Sequence, residues 1–123
     1  MLTGSCNCKS VTFEVRETIR SSACHCGQCR KQSGHHWACG LAYDTDLTIS
    51  GDVKWYASSD IAQRGFCPTC GCFLFWKMKG EEKISYSLGT IDGATGLTLD
   101  RHIFIADKGD YYDIADNVPQ REN

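Results

Sequence analysis

Apolar and polar side chains trade places at every second position over much of this chain. Val11, Phe13 and Val15 alternate with Thr12 and Glu14, the period of a strand that buries one face. Ile84-Ser85-Tyr86-Ser87-Leu88 alternates in the same way, and His102-Ile103-Phe104-Ile105 is a further short strand. Phe73-Leu74-Phe75-Trp76-Lys77-Met78 is too apolar to face water on both sides, and Trp37-Ala38-Cys39-Gly40-Leu41-Ala42-Tyr43 is a short apolar run. Leu47-Thr48-Ile49-Ser50 and Val53-Lys54-Trp55-Tyr56 flank Gly51-Asp52, which predicts a hairpin. Helix-compatible residues gather only at Gln28–Ser33, where Gly34 supplies a stop. Trp55, Tyr56, Phe73, Phe75 and Trp76 are assigned to the core, and the polar tail from Asp113 to Asn123 to the surface. With no linker and no repeat, the pattern predicts one mainly β domain over residues 1–123, built of short strands and tight turns with at most two short helices.

Composition sharpens this picture at one point. Nine cysteines occur in 123 residues, while 12 glycines and 2 prolines accord with a turn-rich chain. The net charge of −2 offers no electrostatic footprint for nucleic acid or for an anionic membrane. No stretch nears 18 consecutive apolar residues, and Met1–Cys6 has neither a charged nor an apolar leader, so a cytoplasmic protein is expected. In a reducing compartment an odd number of cysteines points to metal rather than to a disulfide framework.

The cysteines fall into groups. Cys24-His25-Cys26-Gly27-Gln28-Cys29 places three thiols in C-x-C-x-x-C spacing, and no other cysteine follows for nine residues. Cys67-Pro68-Thr69-Cys70-Gly71 has the form of a zinc knuckle, in which the two-residue gap brings both sulfurs to one ion and Gly71 accepts the backbone turn behind it. Cys6 and Cys8, two apart in extended chain, point the same way and complete a four-sulfur set with Cys67 and Cys70. That set is closed and structural. The trio Cys24, Cys26 and Cys29 leaves one tetrahedral position free, the mark of a metal ion that does chemistry. An incoming thiol there would ionise and serve as a nucleophile.

Other readings stay open on spacing alone. Cys39 or Cys72 could close the second site, and four thiolates also suit iron. Cys39 reads otherwise as a buried free thiol, and Cys72 as a spare ligand beside Cys70. His25, His35 and His36 lie close enough to fill the free position or to carry a proton, or are simply satisfied or surface histidines. Arg30, Lys31 and Arg64 are the cations nearest the clusters and could receive a carboxylate on the thiol. A zinc-stapled binding module for a protein or nucleic-acid partner is the alternative to an enzyme, and a redox sensor using Cys39 and Cys72 is a third reading.

Taken together, Gly4-Ser5-Cys6-x-Cys8, Cys24-His25-Cys26-x-x-Cys29-Arg30-Lys31-x-Ser33-Gly34, Arg64-x-Phe66-Cys67-x-x-Cys70-Gly71 and His102-Ile103-Phe104 resemble the glutathione-dependent formaldehyde-activating enzyme family, which also includes centromere protein V. The resemblance runs from about Gly4 to Pro119. It implies a β-rich fold with two zinc ions per chain, a structural one on Cys6, Cys8, Cys67 and Cys70 and a catalytic one on Cys24, Cys26 and Cys29. The activity it implies is that of a carbon-sulfur lyase that joins glutathione or a similar thiol to formaldehyde, as in S-(hydroxymethyl)glutathione synthesis.

Overall fold

The computed structural model describes residues 1–123. Ten strands and one short helix follow in order: β1 Leu2–Ser5, β2 Thr12–Val15, β3 Arg20–Cys24, α1 Gly27–Ser33, β4 Trp37–Tyr43, β5 Leu47–Ser50, β6 Lys54–Ala57, β7 Ala62–Phe66, β8 Phe73–Met78, β9 Lys83–Ser87 and β10 His102–Ile103. They form two sheets, a three-stranded one in the order β1-β2-β5 and a seven-stranded one in the order β10-β3-β4-β9-β8-β7-β6. Only the β10–β3 pair is parallel. A mainly β fold is therefore what the alternation predicted.

The main core lies between the sheets. Phe13, Val15 and Leu47 come from the small sheet, and Ala42, Leu74, Phe75, Ile84 and Tyr86 from the large one. Phe13 meets Phe75 edge to face, with ring centroids 5.1 Å apart, in the geometry that aromatic quadrupoles prefer. Gly40 and Gly4 admit this packing. A Cβ on Gly40 would lie 2.4 Å from the Tyr86 ring, and one on Gly4 would lie 2.3 Å from the Phe13 ring.

Strand alternation then sends the neighbours of those core residues to the far side of the large sheet. There Cys24, Cys29, Trp37 and Cys39 make a second, smaller cluster, flanked by Phe73, Trp76 and Ile103. Helix α1 covers part of this face. It begins at Cys26, whose sulfur accepts the Cys29 N–H, and stops at Gly34, which takes φ of 81° and returns its N–H to the Arg30 carbonyl.

The expected hairpin across Gly51-Asp52 does not form. Leu47–Ser50 pairs with β2, aligning Leu47 with Val15 and Ile49 with Phe13, whereas Lys54–Ala57 pairs with β7. The turn instead carries the chain from one sheet to the other. Gly51, at φ of 100°, presses so closely on Ser10 that a Cβ would lie 2.1 Å from the Ser10 carbonyl oxygen. Pairing with β2 puts Leu47 into the core beside Phe13 and Val15, and that burial overrides the local turn signal. Tyr56, expected in the core, is 59% exposed on edge strand β6. Phe73 and Trp76 belong to the second cluster, while Phe75 is buried in the main core and Trp55 packs against it.

The tail does run along the surface, and it is also tied down. His102 N–H donates to the Pro119 carbonyl and Arg121 N–H to the His102 carbonyl, at 2.8 and 2.9 Å. No helix is long and apolar enough to cross a membrane.

Candidate metal centres and cavity

The sulfurs of Cys6, Cys8, Cys67 and Cys70 lie within 4.8 Å of one another, as do those of Cys24, Cys26 and Cys29. All nine cysteines are free thiols. The four-sulfur group joins the end of β1 to the β7–β8 turn, with Cys6 to Cys8 and Cys8 to Cys67 both at 3.7 Å. Zinc with sulfur ligands at about 2.3 Å in a tetrahedron needs sulfur–sulfur edges of about 3.8 Å, so the donors present fit that ion. Cys67 is fully buried. Backbone N–H groups of Cys70 and Thr69 and the Ser10 hydroxyl hydrogen-bond to its sulfur and pull the thiol down to about 5, so it offers a thiolate near neutral pH.

The three-sulfur group sits where β3 gives way to α1. Hydrogen bonds from the Cys24 and Cys29 thiols, helped by the Cys29 N–H, draw the Cys26 thiol down to about 2 and push that of Cys24 up. One of the three sulfurs thus gives up its proton while the other two keep theirs, a donor set that suits a soft cation. The trio includes no fourth His, Cys, Asp or Glu. Cys39 is buried nearby, with burial raising its thiol to about 12, the behaviour of a buried free thiol. Cys72 lies close enough to Cys70, Cys6 and Cys67 that their charges help raise its own thiol after burial has done so, and it stands outside the four-sulfur group.

The histidines are engaged elsewhere. His25 is fully buried between two cysteines of the trio, yet its ring turns away from their sulfurs: Nδ1 pairs with the Tyr112 hydroxyl and Nε2 with His102 Nδ1 at 2.9 Å. His102 Nε2 reaches Asp116 at 2.8 Å. With Asp116 ionised, one set of directions satisfies every group: Tyr112 donates to His25, His25 donates to His102, and His102 donates to Asp116. Burial, reinforced by the neighbouring His36 and His102, lowers His25 to about 4, so it is neutral in this chain of bonds. The hydrogen bond from His102 holds the Asp116 carboxyl below its usual range. His36 is half-buried beside them and its Nδ1 has no partner.

Arg64, nearly buried on β7, is the cation that reaches the trio. Its Nη1 donates to Cys29 Sγ at 3.5 Å and to Gln32 Oε1 at 2.8 Å, and its Nε donates to Gln28 Oε1 at 3.0 Å. Gln28 and Gln32, one turn apart on α1, orient the guanidinium between them. Arg30 turns instead to the Asp107 carbonyl, and Lys31 is exposed.

Beside the trio opens a cavity of about 280 Å³. Trp37, Cys39 and Ser85 come to it from the sheet, Trp76 and Ala62 from the next strands, Ile61 from the β6–β7 turn, and Ile103 and Phe104 from the end of β10. Trp37 is fixed by its indole N–H to Ser87 Oγ and by the Phe73 ring at 4.5 Å. Phe104 adopts left-handed backbone angles, φ 56° and ψ 39°, which cost a bulky residue on the order of 1 kcal/mol or more. Backbone bonds from Asp107 to Phe104 and from Ile105 to Arg121 hold it there. The sequence signalled the trio and Arg64 but not these walls, which come from five separate segments. Gln28 and Gln32 were legible in principle from their four-residue spacing on the one helix.

Known proteins place this arrangement. A crystal structure of a Rhodobacter sphaeroides protein superposes with a TM-score of 0.65 over 76% of this chain and 91% of that one at 22% identity, which establishes the shared fold. A protein of Schizosaccharomyces pombe described as an uncharacterized lyase is 31% identical over 118 residues, 94% of this chain and 86% of its own length. The model of the family described as glutathione-dependent formaldehyde-activating enzyme matches residues 1–107. On these matches the chain belongs to the glutathione-dependent formaldehyde-activating enzyme family.

Proposed function

We propose that the protein is a zinc-dependent carbon-sulfur lyase that makes and breaks a thiol–aldehyde adduct, with S-(hydroxymethyl)glutathione synthesis as the family's model reaction. The observation that supports this most is a trio of sulfurs with no fourth protein donor, opening onto a cavity. Cys24, Cys26 and Cys29 would hold the reactive zinc, and Cys6, Cys8, Cys67 and Cys70 the structural one. Zinc in the first position supplies Lewis acidity that lowers the pKa of a thiol entering the cavity.

The remaining work falls to the chain. In the forward direction a sulfur–carbon bond forms, the carbonyl π pair moves onto oxygen, and the thiol proton ends on that oxygen; the reverse releases thiol and aldehyde. Arg64 holds negative charge on Cys29 in place and is itself fixed by Gln28 and Gln32. The aromatic and aliphatic walls lower the dielectric beside the trio, so the dipoles there act more strongly than in water. Ser85, buried in β9, lines the cavity, where its hydroxyl would donate to the aldehyde oxygen. His25, with both ring nitrogens committed, positions the loop rather than shuttling the proton.

Zinc-loaded protein mixed with formaldehyde and a panel of small thiols, glutathione among them, tests this by following adduct formation against the spontaneous background. A rate above that of a Cys26→Ser variant is expected for at least one thiol. Equal rates for both proteins across the panel would remove the enzymatic reading.

A further inference from the structure

Resting on the reading of a thiol–aldehyde lyase, we infer that the adduct carries an uncharged apolar hydrocarbon group, of aryl or short alkyl kind, and that glutathione is a poor occupant of this cavity. The cavity beside the trio is walled by Trp37, Trp76, Ala62 and Ile103, and its volume of about 280 Å³ is just under the ~300–1,000 Å³ usual for small-molecule pockets. Two of the residues that line it are themselves exposed large apolar side chains, Ile61 at 59% and Phe104 at 39%. Single exposed apolar residues mean little, but two on one apolar cavity extend its character outward to solvent.

Charge complementarity points the same way. Glutathione brings two carboxylates and an ammonium group, and such groups need partners when they leave water. Arg64 is the one charged residue on the cavity wall, and three of its five N–H donors are given to Gln28, Gln32 and Cys29, leaving only the Nη2 pair for a ligand. Held by those three bonds, the guanidinium can meet at most one carboxylate, and the second has no cation on the wall. No acidic residue lines the cavity to meet the ammonium. Phe104 is held in its strained backbone by its neighbours' hydrogen bonds, so the apolar lip is built in place rather than a loose side chain.

Binding to the zinc-loaded full chain tests this through the fluorescence of the cavity tryptophans, with benzyl thiol, glutathione and the sulfur-free toluene as probes. Benzyl thiol is expected to bind at least ten-fold tighter than glutathione, and toluene to compete with it. Phe104→Gly, which suits the left-handed backbone, is expected to weaken benzyl thiol several-fold. Ile61→Lys, which adds a second cation, is expected to narrow the gap in favour of glutathione. Two reactions locate the apolar group: benzyl thiol with formaldehyde, and 2-mercaptoethanol with benzaldehyde; faster turnover of the first assigns it to the thiol, of the second to the aldehyde. Glutathione binding as tightly as benzyl thiol, or both variants leaving the preference unchanged, overturns the inference even if formaldehyde adducts are made. Tight apolar binding without turnover of any adduct supports the inference about the cavity and removes the lyase reading instead.

Discussion

Replacing Cys67 by Ala should cost far more stability than replacing Cys26, because the two sulfur groups close very different loops. Cys8 and Cys67 lie 59 positions apart, and their shared ion ties the end of β1 to the β7–β8 turn. Cross-linking a loop of that length removes about 4 kcal/mol of chain entropy from the unfolded state. The trio spans six residues, for which the same relation gives about 2 kcal/mol. For a chain of 123 residues the unfolding entropy is about 0.26 kcal/mol per degree, so the drops in Tm are about 16 °C and about 8 °C. The Cys67 change also strips its sulfur from the N–H groups of Thr69 and Cys70 and from the Ser10 hydroxyl, which adds to the first figure. Circular-dichroism melts in excess zinc, repeated with a chelator, provide the assay. Wild-type protein with chelator loses both ions and should melt near Cys67→Ala with chelator, while chelator should lower Cys67→Ala itself by only the about 8 °C that loss of the trio's ion requires. Equal destabilisation by Cys67→Ala and Cys26→Ala would refute the assignment of one structural and one reactive site.

Four further outcomes follow from the packing. His25→Ala breaks the chain of bonds from Tyr112 to Asp116 beneath the trio and should lower zinc affinity of that site about 10–100-fold, read by competition with a chromogenic chelator, while the four-sulfur site is unchanged. In the folded chain His25 protonates only near pH 4, against about 6.5 when unfolded. Its contribution to stability is therefore complete above pH 6.5 and is lost as pH falls toward 4, and denaturant titrations of wild type against His25→Phe should show that difference only in this window. Gly40→Ala drives a methyl into the Tyr86 ring and should cost about 1–3 kcal/mol in urea unfolding; no loss would show that the sheet shifts freely there. Cys39, raised to about 12, should resist iodoacetamide at pH 8 in native protein and react once urea unfolds it, as peptide mass mapping would show.

What could be read from the sequence divides along physical lines. Val11, Phe13 and Val15, and the alternation around Tyr86, report burial of one sheet face locally, so those strands were legible. So was the grouping of the sulfurs, because gaps of one and two residues bring Cys6 to Cys8 and Cys67 to Cys70 before any tertiary structure is known. The Gly51-Asp52 hairpin misled because a turn signal says nothing of distant competitors: β5 found β2, more than thirty residues earlier, and buried Leu47 by doing so. The cavity was illegible for a related reason. Trp37, Ile61, Trp76 and Phe104 carry no common period, and only the sheet order β10-β3-β4-β9-β8-β7 brings them around one space. The exposed tail likewise gave no sign that Tyr112 and Asp116 would close the histidine chain under the trio.

The unequal sharing of sulfur between two ions is tested most directly by X-ray absorption at the zinc edge. Protein loaded with two zincs should give about 3.5 protein sulfurs per zinc, from seven cysteines shared between two ions, rising to about 4 when benzyl thiol is added. Four sulfurs per zinc before any thiol is added, with no change afterwards, would contradict it.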